Sequence, residues 1–516
     1  MQVVWFKKDL RVADHRPLFE AAKSGSCLCV YIYEPEILQS DEFDSSHLGF
    51  INESLQDLRS SLRKLGGSLI LRVGEAISIF ASLHAEFGID SVWSHEETGN
   101  AITYARDLRV KDWLQQQGIP WREFPQTGVV RRLKNRDGWS RSRNQFMAQD
   151  IVPVPTSICF VEGVETVPIQ GARDLGLAKS QKTNLISGGE CIARELLDSF
   201  LNERGEKYSR RMSSPVSAHD ACSRLSSSIT WGCISIRQIV HALRGRQQEM
   251  RDAKKAGQPT GGWLSSLKSF DARLSWHCHF MQKLEDQPSI EFENMSRVYD
   301  GLRESEYSQE RFEVWCEGRT GYPMIDACMR ALREHSWINF RMRAMLVSFA
   351  SYHLWLHWRN PAVYLAKHFL DFEPGIHFSQ VQMQSGTTGI NTVRIYSPIK
   401  QVIDQDPQGE FIRRYVPELS GVPNEHLPEP HKMTRDEQSR AGCWIGRDYP
   451  EPIVEHLTAY RAARDRIHAI RRQAGAKEEA RKIVKKHGSR KGTSRATRSN
   501  QRNRNAGQDE SQRTLF

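Results

Sequence analysis

Short β-branched and aromatic runs punctuate the first part of the chain: QVVWF at 2–6, CLCVYIY at 27–33, SLILRV at 68–73 and SVWSHE at 91–96. Between them, LFEAAKSG, FINESLQDLRSSLRKLGG and ITYARDLRVKDWLQQQG place apolar residues at helical spacing. Strict strand–helix alternation over residues 1–128 predicts a parallel sheet with helices on both faces. Gly25, Gly66, Gly67 and Gly118 each follow a helical run and precede a strand, where a left-handed cap is wanted. No GxGxxG follows the first strand, which argues against a dinucleotide held in this domain by the familiar fingerprint.

The periodicity fails from 129 to 190, where PVPTSICFVEGVETVPIQGARDLG carries proline, glycine and mixed polar residues. This predicts a long connector lying over the surface between two domains. From 191 to 470 helical patterns dominate, so the fold class is an N-terminal doubly wound, Rossmann-like α/β domain followed by a large all-α domain. Residues 471–516 are basic, polar and nearly free of aromatics, and are predicted to be a disordered tail, read either as a solvated end or as a nucleic-acid arm.

Composition sharpens this in three ways. A chain of 516 residues is long enough for two or three domains with substantial cores. A net charge of +10, part of it in the tail, points to a polyanionic partner. The 10 cysteines are scattered with no CxxC pair, which fits a reducing compartment and argues against a four-cysteine cluster. The first residues lead straight into a strand-like run rather than a signal peptide, and no apolar stretch approaches the roughly 20 residues of a membrane span. A cytoplasmic monomer that does not enter membranes is the expectation.

The stretch Trp315–Pro398 is unusual. It mixes core-type apolar positions with Arg, Asp, Asn and aromatics inside helical runs, more polar groups than a helix packed only for stability requires. A pocket for a large, charged, aromatic cofactor would explain them.

Four segments in order, VVWFKKDLRVADHRPL, CSRLSSSITWGCIS at 222–235, EGRTGYPMIDACMR at 317–330 and RIYSP at 394–398, resemble the photolyase/cryptochrome family. The resemblance covers roughly residues 1 to 460. It implies an α/β domain, a linker and a helical domain holding FAD folded into a U. It places the FAD phosphates at Ser223, Arg224, Leu225 and Ser226, with Cys222 where the family usually has Thr, and adds Tyr208 from the preceding segment. A plain helix N-cap is the competing reading of that serine cluster. Arg343 and Asp371 match a pair at the flavin ring edge, with Glu373 where a second acid is common; a structural ion pair is the alternative. Asn339 stands where (6-4) photolyases have a proton-transferring histidine, and His377 is placed near the ring. Trp276 matches the platform on which a flipped pyrimidine dimer stacks. Trp358 and Trp315 match the middle and outer members of an electron relay, or else are core residues.

This sequence also departs from the pattern. Ser379 and Val381 fall where a Trp-x-Trp pair usually follows the aspartate, so the relay lacks its inner member unless Phe378 or Trp355 substitutes. Arg273 and Phe340 replace a glutamate and an asparagine of cyclobutane-dimer photolyases. Arg341, Arg394, Lys400, Arg413 and Arg414 are candidates for phosphate contacts around the cavity mouth, against a merely solvated basic face. HEETGN at 95–100 lies near where family members hold an antenna, folate or deazaflavin. The resemblance implies a FAD-dependent, blue-light-driven DNA photolyase, a carbon–carbon lyase acting on UV-damaged single- or double-stranded DNA. The alternatives are a cryptochrome-like photoreceptor without repair activity and a redox flavoprotein without light function.

Overall fold

The structure, a computed structural model, describes residues 1–488. Its N-terminal part is one five-stranded sheet of β1 (Gln2–Phe6), β2 (Cys27–Tyr33), β3 (Leu69–Val73), β4 (Ser91–His95) and β5 (Trp121–Phe124), in the order β3-β2-β1-β4-β5. All pairs are parallel, with Val3 opposite both Leu28 and Val92. Parallel strands are covered on both faces, and β1 shows it: Val4 and Phe6 enter one core while Val3 and Trp5 enter the other. Helices Arg16–Ser24, Ser45–Lys64, Ala76–Phe87 and Ala101–Gln116 connect the strands. Gly66 and Gly118 take positive φ as expected of caps, but Gly67 does not. It lies against the Phe160 ring, 2.0 Å from where a Cβ would stand, so close approach rather than handedness demands glycine there.

The connector is more engaged than its composition implies. It forms a helix at Trp139–Phe146, and its backbone pairs with the start of β2, where Cys27 N–H donates to Cys159 O at 2.7 Å. Beyond it the chain is helical, with a second core around Trp315, Met324, Phe349 and Trp358. Among the described residues no helix is long and apolar enough to cross a membrane. The tail also differs from expectation. Helix His456–Arg472 runs past 470, and Ala476–His487 forms a further helix anchored by buried Ala476, Ile483 and His487. Residues 489–516 lie outside the described residues.

Three of the resemblance-bearing segments supply structural clamps. Arg11, 1% exposed, donates to Gly232 O and Gln126 Oε1, both at 2.9 Å, and also to Ala13 O and Asp14 O at 3.1 Å. Asp14 accepts from Ser235 Oγ at 2.6 Å and from Arg237 Nε at 3.1 Å, and Glu190 accepts from Val12 N–H at 2.8 Å. Burial alone would raise the Asp14 pKa, yet the Arg237 hydrogen bond and the Arg11 charge outweigh it and hold the carboxyl below its usual range. Asp326 similarly accepts from Thr320 N–H at 2.7 Å, Thr320 Oγ1 and Tyr449 Oη at 2.6 Å, and Gly321 N–H at 3.1 Å. Gly321, at φ 76°, has Glu451 O only 2.4 Å from where a Cβ would be. These residues therefore fix the seam between sheet and helices and the start of the helix Pro323–His335.

Candidate FAD and nucleic-acid cavity

A cavity of about 600 Å³ opens among the helices. The long helix Trp263–Asp286 supplies Arg273, Trp276, Phe280 and Lys283, which at spacings of three and four residues share one face. Phe340, Arg341 and Arg343 come from Phe340–Ser348, and Ile376, Gln380 and Gln384 from Pro374–Ser385. Val484 and His487 of the C-terminal helix complete the wall. Among the described residues, Arg273, Lys283, Arg341, Arg343 and Arg394 line it, against a single carboxylate, Asp371.

That carboxylate is already committed. Arg343 donates from Nη1 to Asp371 Oδ1 at 3.0 Å and from Nη2 to Oδ2 at 2.9 Å, while its Nε donates to Ile338 O at 2.8 Å and its plane lies 4.0 Å over Phe369. Burial would raise the Asp371 pKa, but the Arg343 charge and hydrogen bonds, with help from Ser226, hold it low. The pair is thus ionised, and among the described residues the lining carries more cationic than anionic side chains.

Ser226 and Cys222 line the cavity, whereas Ser223, Arg224 and Leu225 do not. Leu225 is fully buried in the core shared with the sheet. Arg224 sits at φ 61° with its guanidinium 4.0 Å over Trp337, and its Nη1 is buried without a partner. Burial lowers the Arg224 pKa to about 10, an indication that this cation is short of an anion. The loop is stapled by Arg204, which donates to Ser223 O at 2.8 Å and to Cys222 O. Tyr208 lines the cavity, its phenol pushed up to about 12 by burial.

Asn339 donates to Met212 O at 3.1 Å and Ser213 O at 2.6 Å, leaving its Oδ1 buried with no donor; Gln380 Oε1 is in the same condition. Unmatched acceptors beside an Arg–Asp pair, in a lining rich in Arg and Lys, suit a ligand bearing ring N–H groups and phosphates, which FAD does. The residues present therefore fit that cofactor.

Glu373 and His377 face adjoining smaller pockets, not the large cavity. Burial lifts Glu373 to about 7, and it depresses His377 to about 4 while Nε2 shares a 2.8 Å hydrogen bond with Ala362 O. His377 is thus a neutral, engaged group. Trp276 stacks on Phe280 at 5.6 Å and meets His279 edge-on at 5.1 Å. Arg273 reaches toward Phe340, 5.9 Å from its ring.

Trp358 and Trp315 are both fully buried. Trp358 donates to Asn294 Oδ1 at 2.8 Å and contacts Phe378 at 6.5 Å; Phe378 meets Phe372 at 6.0 Å, and Phe372 lines the pocket beside Arg343 and Asp371. Trp315 packs on Phe312 and Tyr364 rather than on Trp358, and its complete burial is unlike an outer member that meets solvent. Trp355 lies elsewhere, between Arg303 and Arg466. Ser379 is buried with its hydroxyl unmatched, off the cavity surface.

Arg341 and Arg394 line the cavity, but Lys400, Arg413 and Arg414 do not. Lys400 pairs with Asp404 one turn on, and Arg413 is spent on Gln408 O, Val422 O and Asn424. Their nearness in sequence was taken up by local structure. Conversely, Lys283 escaped notice although its place seven residues after Trp276 puts it on the same helix face. In the sheet domain, Glu97 and Asn100 line a pocket of about 80 Å³ in which Arg106 pairs with Glu34 at 2.7 Å and Glu97 at 2.6 Å. Glu97 is thus committed to an ion pair, and Asn100 donates to Glu42 Oε2 at 2.7 Å.

The sequence matches the family described as DNA photolyase over residues 2–138 and the FAD binding domain of DNA photolyase over residues 270–469. It is 27% identical to cryptochrome DASH of Gloeobacter violaceus, over 91% of this chain and 97% of that one. It is also 27% identical to deoxyribodipyrimidine photo-lyase of Agrobacterium fabrum, over 90% and 98%. The fold superposes on a bacterial class III photolyase from Agrobacterium tumefaciens with a TM-score of 0.80 at 25% identity, covering 92% of this chain and 98% of that one.

Proposed function

The chain belongs to the photolyase/cryptochrome family, and we propose that it is a FAD-dependent, blue-light-driven photolyase that repairs UV-induced pyrimidine dimers in DNA. The observation that carries this reading is the cavity lining: five Arg and Lys side chains, one carboxylate already paired, and an aromatic platform at Trp276. Such a lining suits two polyanions, a dinucleotide cofactor inside and a strand at the mouth.

FAD, when bound and reduced, supplies the electron that a dimer needs to split. The chain's own residues do the rest. Asn339, Gln380, Ser226, Tyr208 and the Arg343–Asp371 pair hold the cofactor, Arg343 keeping positive charge beside it while Asp371 fixes that guanidinium in place. Trp276 and Phe280 offer a face on which an extruded base can stack. Arg341 and Arg394 neutralise strand phosphates. A second chromophore, folate or deazaflavin, would lie in the sheet-domain pocket lined by Glu97, Asn100 and Arg106.

A cryptochrome-like photoreceptor is favoured by one specific observation. Arg273 and Phe340 come together beside Trp276, and among the described residues lining the cavity the one carboxylate, Asp371, is already paired with Arg343. Reduced, FAD-loaded protein should be illuminated with single-stranded DNA carrying a cyclobutane dimer and, separately, a (6-4) product. Light-dependent loss of one lesion is expected; loss of neither overturns the repair reading in favour of the photoreceptor.

A further inference from the structure

One end of the cavity is built from basic groups that neither the cofactor pair nor the stacking platform uses. Lys283 is 5% exposed and lines the cavity, yet its ammonium makes no hydrogen bond or ion pair with any described residue. It lies 5.0 Å over the Phe280 ring. Behind it the connector sends in Arg136, which donates to His279 O at 3.1 Å, and the C-terminal helix sends in His487 and Lys486, both sharing Gln287 Oε1 at 2.8 and 3.0 Å. Asp286, the carboxylate that meets this group, accepts from Gln282 Nε2 at 2.8 Å and stands 3.7 Å from Arg136 Nε. Two further chain segments, the connector and the C-terminal helix, thus converge on a buried amine and, among the described residues, bring it no acceptor.

A buried cation without a partner is costly, and the cost is removed only by an anion that arrives from outside. Lys283 follows Trp276 by two helical turns, about 10 Å along the axis, the scale of one nucleotide and its flanking phosphates. Resting on the DNA reading above, we propose that Lys283, backed by Arg136 and His487, is a phosphodiester-binding corner that grips the strand phosphate next to the nucleotide stacked on Trp276.

The corner has a titration signature. Burial, reinforced by the Arg136 charge, lowers the Lys283 pKa to about 7, while burial and the same cations hold His279 near about 2 and His487 near about 3. Of these three groups, the lysine alone changes charge around neutrality. The amine is charged on the acid side of neutrality and neutral on the alkaline side, so its hold on phosphate fades as pH rises.

The test is fluorescence anisotropy of a labelled single-stranded oligothymidylate with the full-length, FAD-loaded protein, in salt and pH series. Lys283→Met is expected to make the slope of log affinity against log salt shallower by about 0.7, with a several-fold loss on the acid side of neutrality that narrows on the alkaline side. Lys283→Arg should keep the native slope and flatten the pH dependence, and flavin absorbance checks that both variants fold. A Met variant identical to the native protein in slope, affinity and pH profile overturns the corner while leaving DNA binding intact. Native protein with no salt-dependent affinity for the oligonucleotide brings down the underlying DNA reading as well. Inorganic phosphate should compete no better than chloride of equal ionic strength; selective competition would mean a free-anion site and refute the strand assignment.

Discussion

Replacing Asp371 by Asn tests whether the Arg343–Asp371 pair holds up the cavity. At 2.9 Å and an effective dielectric near 20, the Coulomb attraction is about 6 kcal/mol. Much of that is offset by removing Asp371 from water, and Arg343 is 23% exposed on its side chain, so solvent screens the pair further. A net loss of about 2–3 kcal/mol is left, in the range of charge-assisted hydrogen bonds. For a helical unit of this size that lowers Tm by about 4–6 °C. Thermal melts of flavin-free protein at one fixed heating rate would read it, with Asp371→Leu/Arg343→Met as the companion that removes both charges. The double variant should recover most of the loss, since it leaves no buried charge uncompensated. The pH dependence has a definite sign: the folded carboxyl titrates below its ordinary 3.8, so its contribution is complete above that value and disappears as pH falls through the folded pKa. The native-to-Asn gap should therefore close in acid. An Asn variant melting with the native protein, or a double variant as unstable as the single, would refute the reasoning.

Other outcomes follow from the same geometry. Trp276→Ala should cost about 1–3 kcal/mol of DNA affinity without changing flavin content; unchanged binding would remove Trp276 as the platform. Phe378→Trp should speed photoreduction of the flavin-loaded protein, because Phe378 bridges Trp358 and Phe372, and an unaltered rate would place the electron route elsewhere. Gly232→Ala should lower Tm and soluble yield, since φ there is 67° and Lys8 O lies 2.2 Å from the new Cβ; a native-like melt would show the seam to be pliable.

The sheet could be read from the sequence wherever strands are buried on both faces, as QVVWF and CLCVYIY are. The fifth strand, WREF, escaped because it is a half-buried edge of four residues carrying Arg122 and Glu123. The helix Trp139–Phe146 escaped for the opposite reason: WSRSRNQF has almost no apolar stripe and is held by Trp139 and Arg143. Likewise AKEEARKIVKKH looks like solvated tail, because few of its residues touch the core. In the site, Trp276 and Arg343 were marked by the family resemblance and not by periodicity, and both line the cavity. Loop residues were not: Lys400 and Arg413 found partners in their own turns, an outcome that charge clustering does not reveal.

The Arg11–Asp14 clamp has a bearing on how freely this chain can change. A sheet domain attached through an oily patch could slide or be exchanged, but buried guanidinium and carboxylate groups accept only partners at fixed angles. Register between the two halves is therefore written into Arg11, Asp14, Gly232, Ser235 and Arg237, not into the length of chain joining them. Lengthening an unpaired stretch of that joining chain would cost only the slowly growing entropy of a larger loop. Grafting the sheet of one relative onto the helices of another would fail unless those five positions travelled together. The seam acts as a lock and key within a single polypeptide, and it ties the fate of the cavity to residues at the far N-terminal end of the chain.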